Sequence, residues 1–400
     1  MSPSGDLGER APIPATGAWR PGDPVGRRRF AQVATDAPLE LEARGRLGPI
    51  DVAYETWGEL DADRSNAVLV CHALTGDSHA AGPAVPGGAG AAEARPAHPE
   101  PGWWDGVVGP GRGLDTDAWF VVCANVLGGC QGTTGPASDV GDGRPYGSRW
   151  PRTTIRDQVA VEAALADALG IPTWAAVVGG SMGGMRALEW AVTHPERVRS
   201  AVVAGCGAAA SAEQIALSEI QCEAVRLDPA FAGGDYYDAA PGHGPHRGLG
   251  LARRLGQVSY RSETELAERF GRDPQPGEDP LAGGRYAVAS YLDHHADKLA
   301  RRFDANTYIA LSEAMNHHDV GRGRGGAAAA LARARLPVTV VGIDSDRLYP
   351  PYQQRELAAA LPDAELAWLS SRVGHDGFLV ETDQMSAVLA HALARVPAAR

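Results

Sequence analysis

The sequence predicts an α/β protein: a mostly parallel sheet flanked by helices and interrupted by a helical insertion. Three observations carry this reading. Between residues 67 and 204, apolar runs of strand length alternate with helix-period segments. From about 205 to 326 long polar–apolar helical stretches follow, with no clear strand. Apolar strand patterns then return as Val338-Thr339-Val340-Val341 and Leu366-Ala367-Trp368-Leu369.

Composition bounds the class. The 400 residues suit one large α/β domain carrying an insertion, and 44% hydrophobic with 22% charged residues is ordinary for a globular protein. A net charge of −12 argues against nucleic acid or an anionic membrane as the main partner. No stretch is long and apolar enough to span a bilayer. The five cysteines form no C-x-x-C pair and no disulfide framework, so the expected compartment is the reducing cytoplasm.

In chain order, residues 1–29 are rich in Pro, Gly and Arg without periodicity and read as a mobile tail. Short strands at 39–41 and 50–54, separated by Gly45 and Gly48, suggest an opening hairpin. The buried strand 67–70 runs directly into His72-Ala73-Leu74-Thr75-Gly76, where a second oxyanion-hole element would sit. The Gly-, Ala- and Pro-rich stretch 82–102 is expected to hold neither structure nor chemistry. A strand at 119–123 and an amphipathic helix at 155–169, stopped by Gly170, follow. The resulting division is a core of 30–204 and 327–400, with the insertion 205–326 capping its active edge.

The chemistry centres on Gly179-Gly180-Ser181-Met182-Gly183-Gly184, where an apolar strand meets a helical pattern. Gly-x-Ser-x-Gly at such a junction predicts a nucleophile elbow: a sharp turn that leaves no room for side chains two positions either side of the serine. Partners follow the returning strands. Asp346, with Asp344 as its rival, comes after the first and His375 after the second. The order Ser, Asp, His is that of α/β-hydrolase triads, in which histidine takes the serine proton and the carboxylate steadies the imidazolium.

Other motifs weigh less. Cys71 beside His72 ends an apolar strand and reads as a buried thiol. His294-His295 and His317-His318 are adjacent helical residues that do not face one another, so no metal is expected there. Gly321-Arg322-Gly323-Arg324-Gly325-Gly326 matches Gly-x-Gly-x-x-Gly but follows helix rather than strand, which excludes a dinucleotide loop.

Taken together, His72-Ala-Leu-Thr-Gly-Asp-Ser-His79, Gly102-Trp-Trp-Asp-Gly106, Asn125-Val-Leu-Gly-Gly-Cys130, Gly179-Gly-Ser-Met-Gly-Gly-Met185, Ser345-Asp-Arg-Leu-Tyr-Pro350 and Gly374-His-Asp-Gly-Phe-Leu379 resemble the homoserine O-acetyltransferase family. The resemblance runs from about Phe30 to the last helix and implies an α/β-hydrolase fold. It implies Ser181 as nucleophile, Asp346 and His375 as its partners, and the backbone N–H groups of Leu74 and Met182 as the oxyanion hole. It maps a substrate arginine onto Arg253, with Arg254 as rival, and a substrate aspartate onto Asp376; Tyr260 and Thr75 line the amino-acid pocket. It further implies L-homoserine and acetyl-CoA as substrates, no separate cofactor, and a homodimer formed through the insertion. Two features depart from the family: the 82–102 loop is longer and the amino-terminal tail differs.

Overall fold

A computed structural model describes residues 12–85 and 97–398. Its centre is an eight-stranded sheet. In chain order the strands are β1 (Arg29–Val33), β2 (Ile50–Trp57), β3 (Ala67–Cys71), β4 (Phe120–Ala124), β5 (Ala176–Gly180), β6 (Ala201–Ala204), β7 (Val338–Ile343) and β8 (Ala364–Leu369). Their spatial order is β1-β2-β4-β3-β5-β6-β7-β8, antiparallel at β1/β2 and β2/β4 and parallel thereafter. Strands β3, β5, β6 and β7 are buried along their whole length, as strands covered on both faces must be.

Helices cover both faces. On one side lie α1 (Ile155–Leu169) and α2 (Met182–Thr193); on the other, Met385 and Leu389 of α11 (Thr382–Ala394) share a buried cluster with Val68, Val178 and Val341. Helix α9 (Pro351–Ala360) links β7 to β8, and the short α10 (Gly377–Val380) follows β8. Helix α1 starts at a capping box, Thr154 with Asp157, and stops at the left-handed Gly170.

Between β6 and β7 the chain is helical: α3 (Ala212–Arg226), α4 (His246–Tyr260), α5 (Glu263–Phe270), α6 (Ala287–Arg302), α7 (Ala305–Asn316) and the short α8 (Ala327–Leu331). Helix α4 packs between α3 and α6. No described helix is long and apolar enough to cross a membrane.

Three expectations need correction. Residues 12–28, read as part of a mobile tail, are docked: the Gly17 N–H donates to the Phe303 carbonyl (2.9 Å), that of Trp19 to the Cys130 carbonyl (2.8 Å), and Thr16 Oγ1 to Asp304 (2.7 Å). Such backbone and hydroxyl bonds carry no periodicity, which is why composition alone suggested a tail. Residues 1–11 lie outside the described part. The opening hairpin is also paired otherwise. Leu39–Glu40 joins Arg46–Leu47, whereas β2 pairs with β1, an edge strand too exposed to show a strand pattern. Finally, the 82–102 stretch holds structure at its described ends, where Val85 bridges His98 and His98 is buried; residues 86–96 are outside the described part.

Candidate active site

Ser181 stands between β5 and α2 with φ 56° and ψ −123°, a left-handed backbone that a non-glycine residue adopts only when its surroundings force it. The forcing is steric and local. A Cβ on Gly183 would lie 2.0 Å from the Cys71 carbonyl oxygen, and one on Gly179 would lie 2.3 Å from the Gly183 backbone. Without side chains at these two positions, helix and strands close tightly around the turn. The turn is pinned by the Ser181 N–H, which donates to the Ala204 carbonyl of β6 at 2.9 Å.

His375 and Asp346 meet in the loops after β8 and β7. His375 Nδ1 is 2.6 Å from Asp346 Oδ2, and Asp346 Oδ1 accepts the N–H groups of Leu348 and Tyr349 at 2.8 Å each. Both residues are buried. Asp344, the rival, is exposed and accepts the Ser371 N–H instead, so the geometry separates the two aspartates. With Nδ1–H facing the carboxylate, Nε2 is an acceptor, and it has no hydrogen-bond partner among the described residues. His375 lies against the same backbone that holds Ser181: its Cε1 is 3.2 Å from where a Gly205 Cβ would be, one residue past Ala204. Burial alone would lower the His375 pKa, but the charge and hydrogen bond of Asp346, helped by Asp376, raise it above the ordinary value.

Leu74 lies in the loop after β3, and Met182 opens α2. Neither backbone N–H donates to the described chain, as the first N–H of a helix cannot do within its own helix. The loop is stiffened by His72, whose ring bonds the Ala73 carbonyl through Nδ1 (2.8 Å) and accepts the Val126 N–H at Nε2 (3.0 Å). This pattern requires a neutral imidazole. Burial first, and then the charge of Arg186, push its pKa down to about 3. Cys71 is held as a protonated thiol by burial and by Glu162, consistent with a packing residue.

Arg253 and Asp376 flank Tyr260. The Arg253 guanidinium lies 5.6 Å from the Tyr260 ring centre, its Nε buried without a partner among the described residues, and Tyr260 lies 6.2 Å from His375, centre to centre. Asp376 is at ion-pair distance from Arg261 Nε, 3.3 Å, without hydrogen-bond geometry. Arg254 turns outward to Asp293 at 2.6 Å, as its one-residue offset on α4 demands. A small cavity of about 40 Å³ is lined by Leu74, Tyr260, Tyr349, Gln221 and Met315 among others, with no Arg, Lys or His in its wall. Thr75 faces a different cavity, and its carbonyl accepts from Arg302 (2.8 Å).

Sequence reasoning missed the residues that brace this site. Arg186 is fully buried on α2; it donates to Glu162 of α1 and to the His72 carbonyl, joining the elbow helix to the loop after β3. Tyr349 stacks on His375 at 5.0 Å. An arginine in an otherwise apolar helical stretch was the available signal for the first; the second lies within the Ser345–Pro350 motif, which gave it no role.

Glu55, His79 and His98 also gather their ligating atoms. Their rings stack almost parallel, 3.9 Å apart at 15°, so their lone pairs do not converge on one point, and Arg27 and Arg28 crowd the same carboxylate. The arrangement fits two imidazoles sharing a buried carboxylate, His79 at 2.9 Å and His98 at 3.2 Å.

Sheet order, elbow and the Asp–His pair define an α/β-hydrolase-fold protein, and a family model described as alpha/beta hydrolase fold matches residues 66–382. A homoserine O-acetyltransferase of Thermobifida fusca is 59% identical over 96% of this chain and 98% of its own, and one of Clavibacter michiganensis is 57% identical over 95% and 96%. Among solved structures, a homoserine O-acetyltransferase from Bacillus anthracis superposes with a TM-score of 0.81 (25% identity, covering 94% of this chain and 100% of that one). Esterase E22 gives 0.79 (26% identity, 92% and 99%). The chain belongs to the homoserine O-acetyltransferase family.

Proposed function

We propose that this protein transfers an acetyl group from acetyl-CoA to the hydroxyl of L-homoserine through an acetyl-Ser181 intermediate. The observation that carries the chemistry is the buried Asp346–His375 pair beside a strained serine elbow. Ser181 Oγ attacks the thioester as His375 Nε2 takes its proton, the Leu74 and Met182 N–H groups receive the developing oxyanion, and the thiol leaves with the proton returned by His375. Homoserine then enters, its hydroxyl oxygen attacks the acetyl carbon as His375 Nε2 takes the hydroxyl proton, and the acyl–Oγ bond breaks with that proton returned to Ser181. Homoserine is a zwitterion: Arg253 serves its carboxylate and Asp376 its ammonium. The names of relatives at 57–59% identity, homoserine O-acetyltransferases, support acetyl over succinyl.

The insertion 205–326 acts as the lid that disfavours water, and shortening it turns transfer into hydrolysis. A homodimer through this insertion, in the cytoplasm, completes the reading. In its favour, α4 exposes Leu251 and Val258 beside a cavity also lined by Leu217, Leu255 and Leu292, an apolar face suited to a second copy. The likeness to esterase E22 favours one second reading, hydrolysis of small esters.

Release of CoA from acetyl-CoA, measured with homoserine, with serine and with no acceptor, separates these readings. Homoserine-dependent release with O-acetylhomoserine as product is expected; release indifferent to the acceptor overturns transfer. Arg253→Ala is expected to raise KM for homoserine by about 10- to 100-fold, the loss of one charge-assisted contact.

The pH profile follows from His375. Its neutral form is the base, so kcat/KM falls as pH drops through its pKa. Because that pKa is raised, the acid limb lies above the ordinary histidine value of about 6.5. Asp346→Asn removes the charge that raises it, so the limb moves to lower pH while the maximum falls by about 10⁴-fold. A kcat/KM profile of both proteins checks the two movements.

A further inference from the structure

A cavity of about 530 Å³ lies beside the oxyanion loop, with Thr75, Gly76 and Asp77, the residues that follow Leu74, in its wall. Three segments close it: the docked amino-terminal strap, the 97–103 stretch and the last turn of α6. From these come Trp19 and Arg28, Trp103, and Lys298, Arg301 and Arg302. The mechanism above uses none of these side chains.

The lining has two chemical characters. Trp19 and Trp103 are half-buried lining residues, each tilted against a second ring, Phe30 at 5.1 Å and Trp104 at 5.0 Å, while Lys298, Arg301 and Arg302 gather at the α6 end. In a chain of net charge −12, an anionic ligand depends on such a local concentration of positive charge. Part of that charge is only weakly committed. Lys298 pairs with the exposed Glu100 at 3.3 Å, and Arg301 with Asp297 of its own helix at 3.0 Å. The Lys298–Glu100 pair faces solvent and contributes little, so a phosphate can take over Lys298 at small cost. Deeper in the wall, Asp77 interacts with both Arg28 and Arg302.

The cavity adjoins the acyl site. Arg302 holds the Thr75 carbonyl one residue beyond Leu74, and its charge is opposed by that of Arg253. Acetyl-CoA has the matching division: a small reacting thioester joined by a long neutral arm to a purine nucleotide bearing several phosphates. We propose that this cavity receives the adenosine 3′-phosphate 5′-diphosphate end of acetyl-CoA, the purine on the Trp19 and Trp103 faces and the phosphates on Lys298, Arg301 and Arg302. The inference rests on acetyl-CoA being the donor, and its location beside Thr75 leaves the arm to pass the oxyanion loop toward Ser181.

The test uses adenosine 3′,5′-bisphosphate as a probe of the nucleotide end alone. Calorimetry is expected to show binding to the wild-type protein, and binding weaker by at least about tenfold in Lys298→Glu/Arg301→Glu. In turnover the same variant is expected to raise KM for acetyl-CoA by about tenfold or more with kcat and the homoserine KM unchanged. Its kcat/KM with S-acetyl-N-acetylcysteamine, a thioester without the nucleotide, stays at the wild-type value. The charge-retaining swap Lys298→Arg/Arg301→Lys restores the acetyl-CoA KM, and matching thermal melts exclude a folding defect. No binding of the bisphosphate to wild type, equal binding to the charge-reversed variant, or an equal loss with both donors overturns the assignment. Failure of wild type to form an acyl-enzyme from either donor overturns the proposed function instead, and calorimetry still decides the nucleotide site.

Discussion

Ser181→Ala is expected to lower homoserine acetylation by roughly a millionfold, the scale on which a serine nucleophile's loss is felt when the remaining groups act through it. The substitution removes one oxygen from a buried turn whose geometry is set by Gly179, Gly183 and the Ser181 N–H bond to β6, none of which involves the hydroxyl. Stability should therefore be unchanged or slightly higher, since strained functional sites are held at a cost to the fold. Intact-protein mass spectrometry after incubation with acetyl-CoA alone gives the direct check. The wild-type protein gains one acetyl group and Ser181→Ala gains none; retention of more than a trace of transfer would place the nucleophile elsewhere.

The second large effect lies beneath the elbow. Arg186 has no exposed surface, Glu162 is 3% exposed, and Glu162 also accepts the Trp190 indole N–H at 2.8 Å. Breaking a buried pair from one side strands the other charge, so Arg186→Met is expected to cost about 3–5 kcal/mol in urea unfolding. Arg186 also holds the His72 carbonyl, two residues before Leu74, so the variant is expected to lose kcat with little change in the homoserine KM. Arg186→Met/Glu162→Gln separates the two roles: removing both charges while leaving the Trp190 indole N–H an acceptor recovers most of the stability, while kcat stays low because the loop after β3 is still unheld. Recovery of kcat along with stability would reduce Arg186 to a packing role.

Much of this site was legible because its signals are local. Gly-x-Ser-x-Gly is a steric requirement within five residues, and it placed Ser181 without any knowledge of the strands around it. Helix α1 has the ends expected from its periodicity and its Gly170 stop, because those cues lie within a few residues of each boundary. Position after two apolar runs pointed to His375 and to Asp346 ahead of its rival Asp344, and the family resemblance named the same pair, but neither gave a physical reason for the choice. That reason is direction: one carboxylate points inward to the imidazole and the other outward to Ser371.

The amino-terminal strap, the β1/β2 pairing and the burial of His98 were illegible for one reason. Each is held by partners far along the chain, such as Phe303 and Asp304 for residues 16 and 17, and leaves no pattern of its own. Composition, periodicity and short motifs thus established the α/β class, the elbow and the residue types of its partners, since these depend on contacts within a turn or a strand. The folded chain alone shows why Asp346 rather than Asp344 faces His375, why Arg253 rather than Arg254 turns to Tyr260, and how Arg186 and the strap pack around the site. Those are directions and long-range contacts, and they exist only once distant segments are packed together.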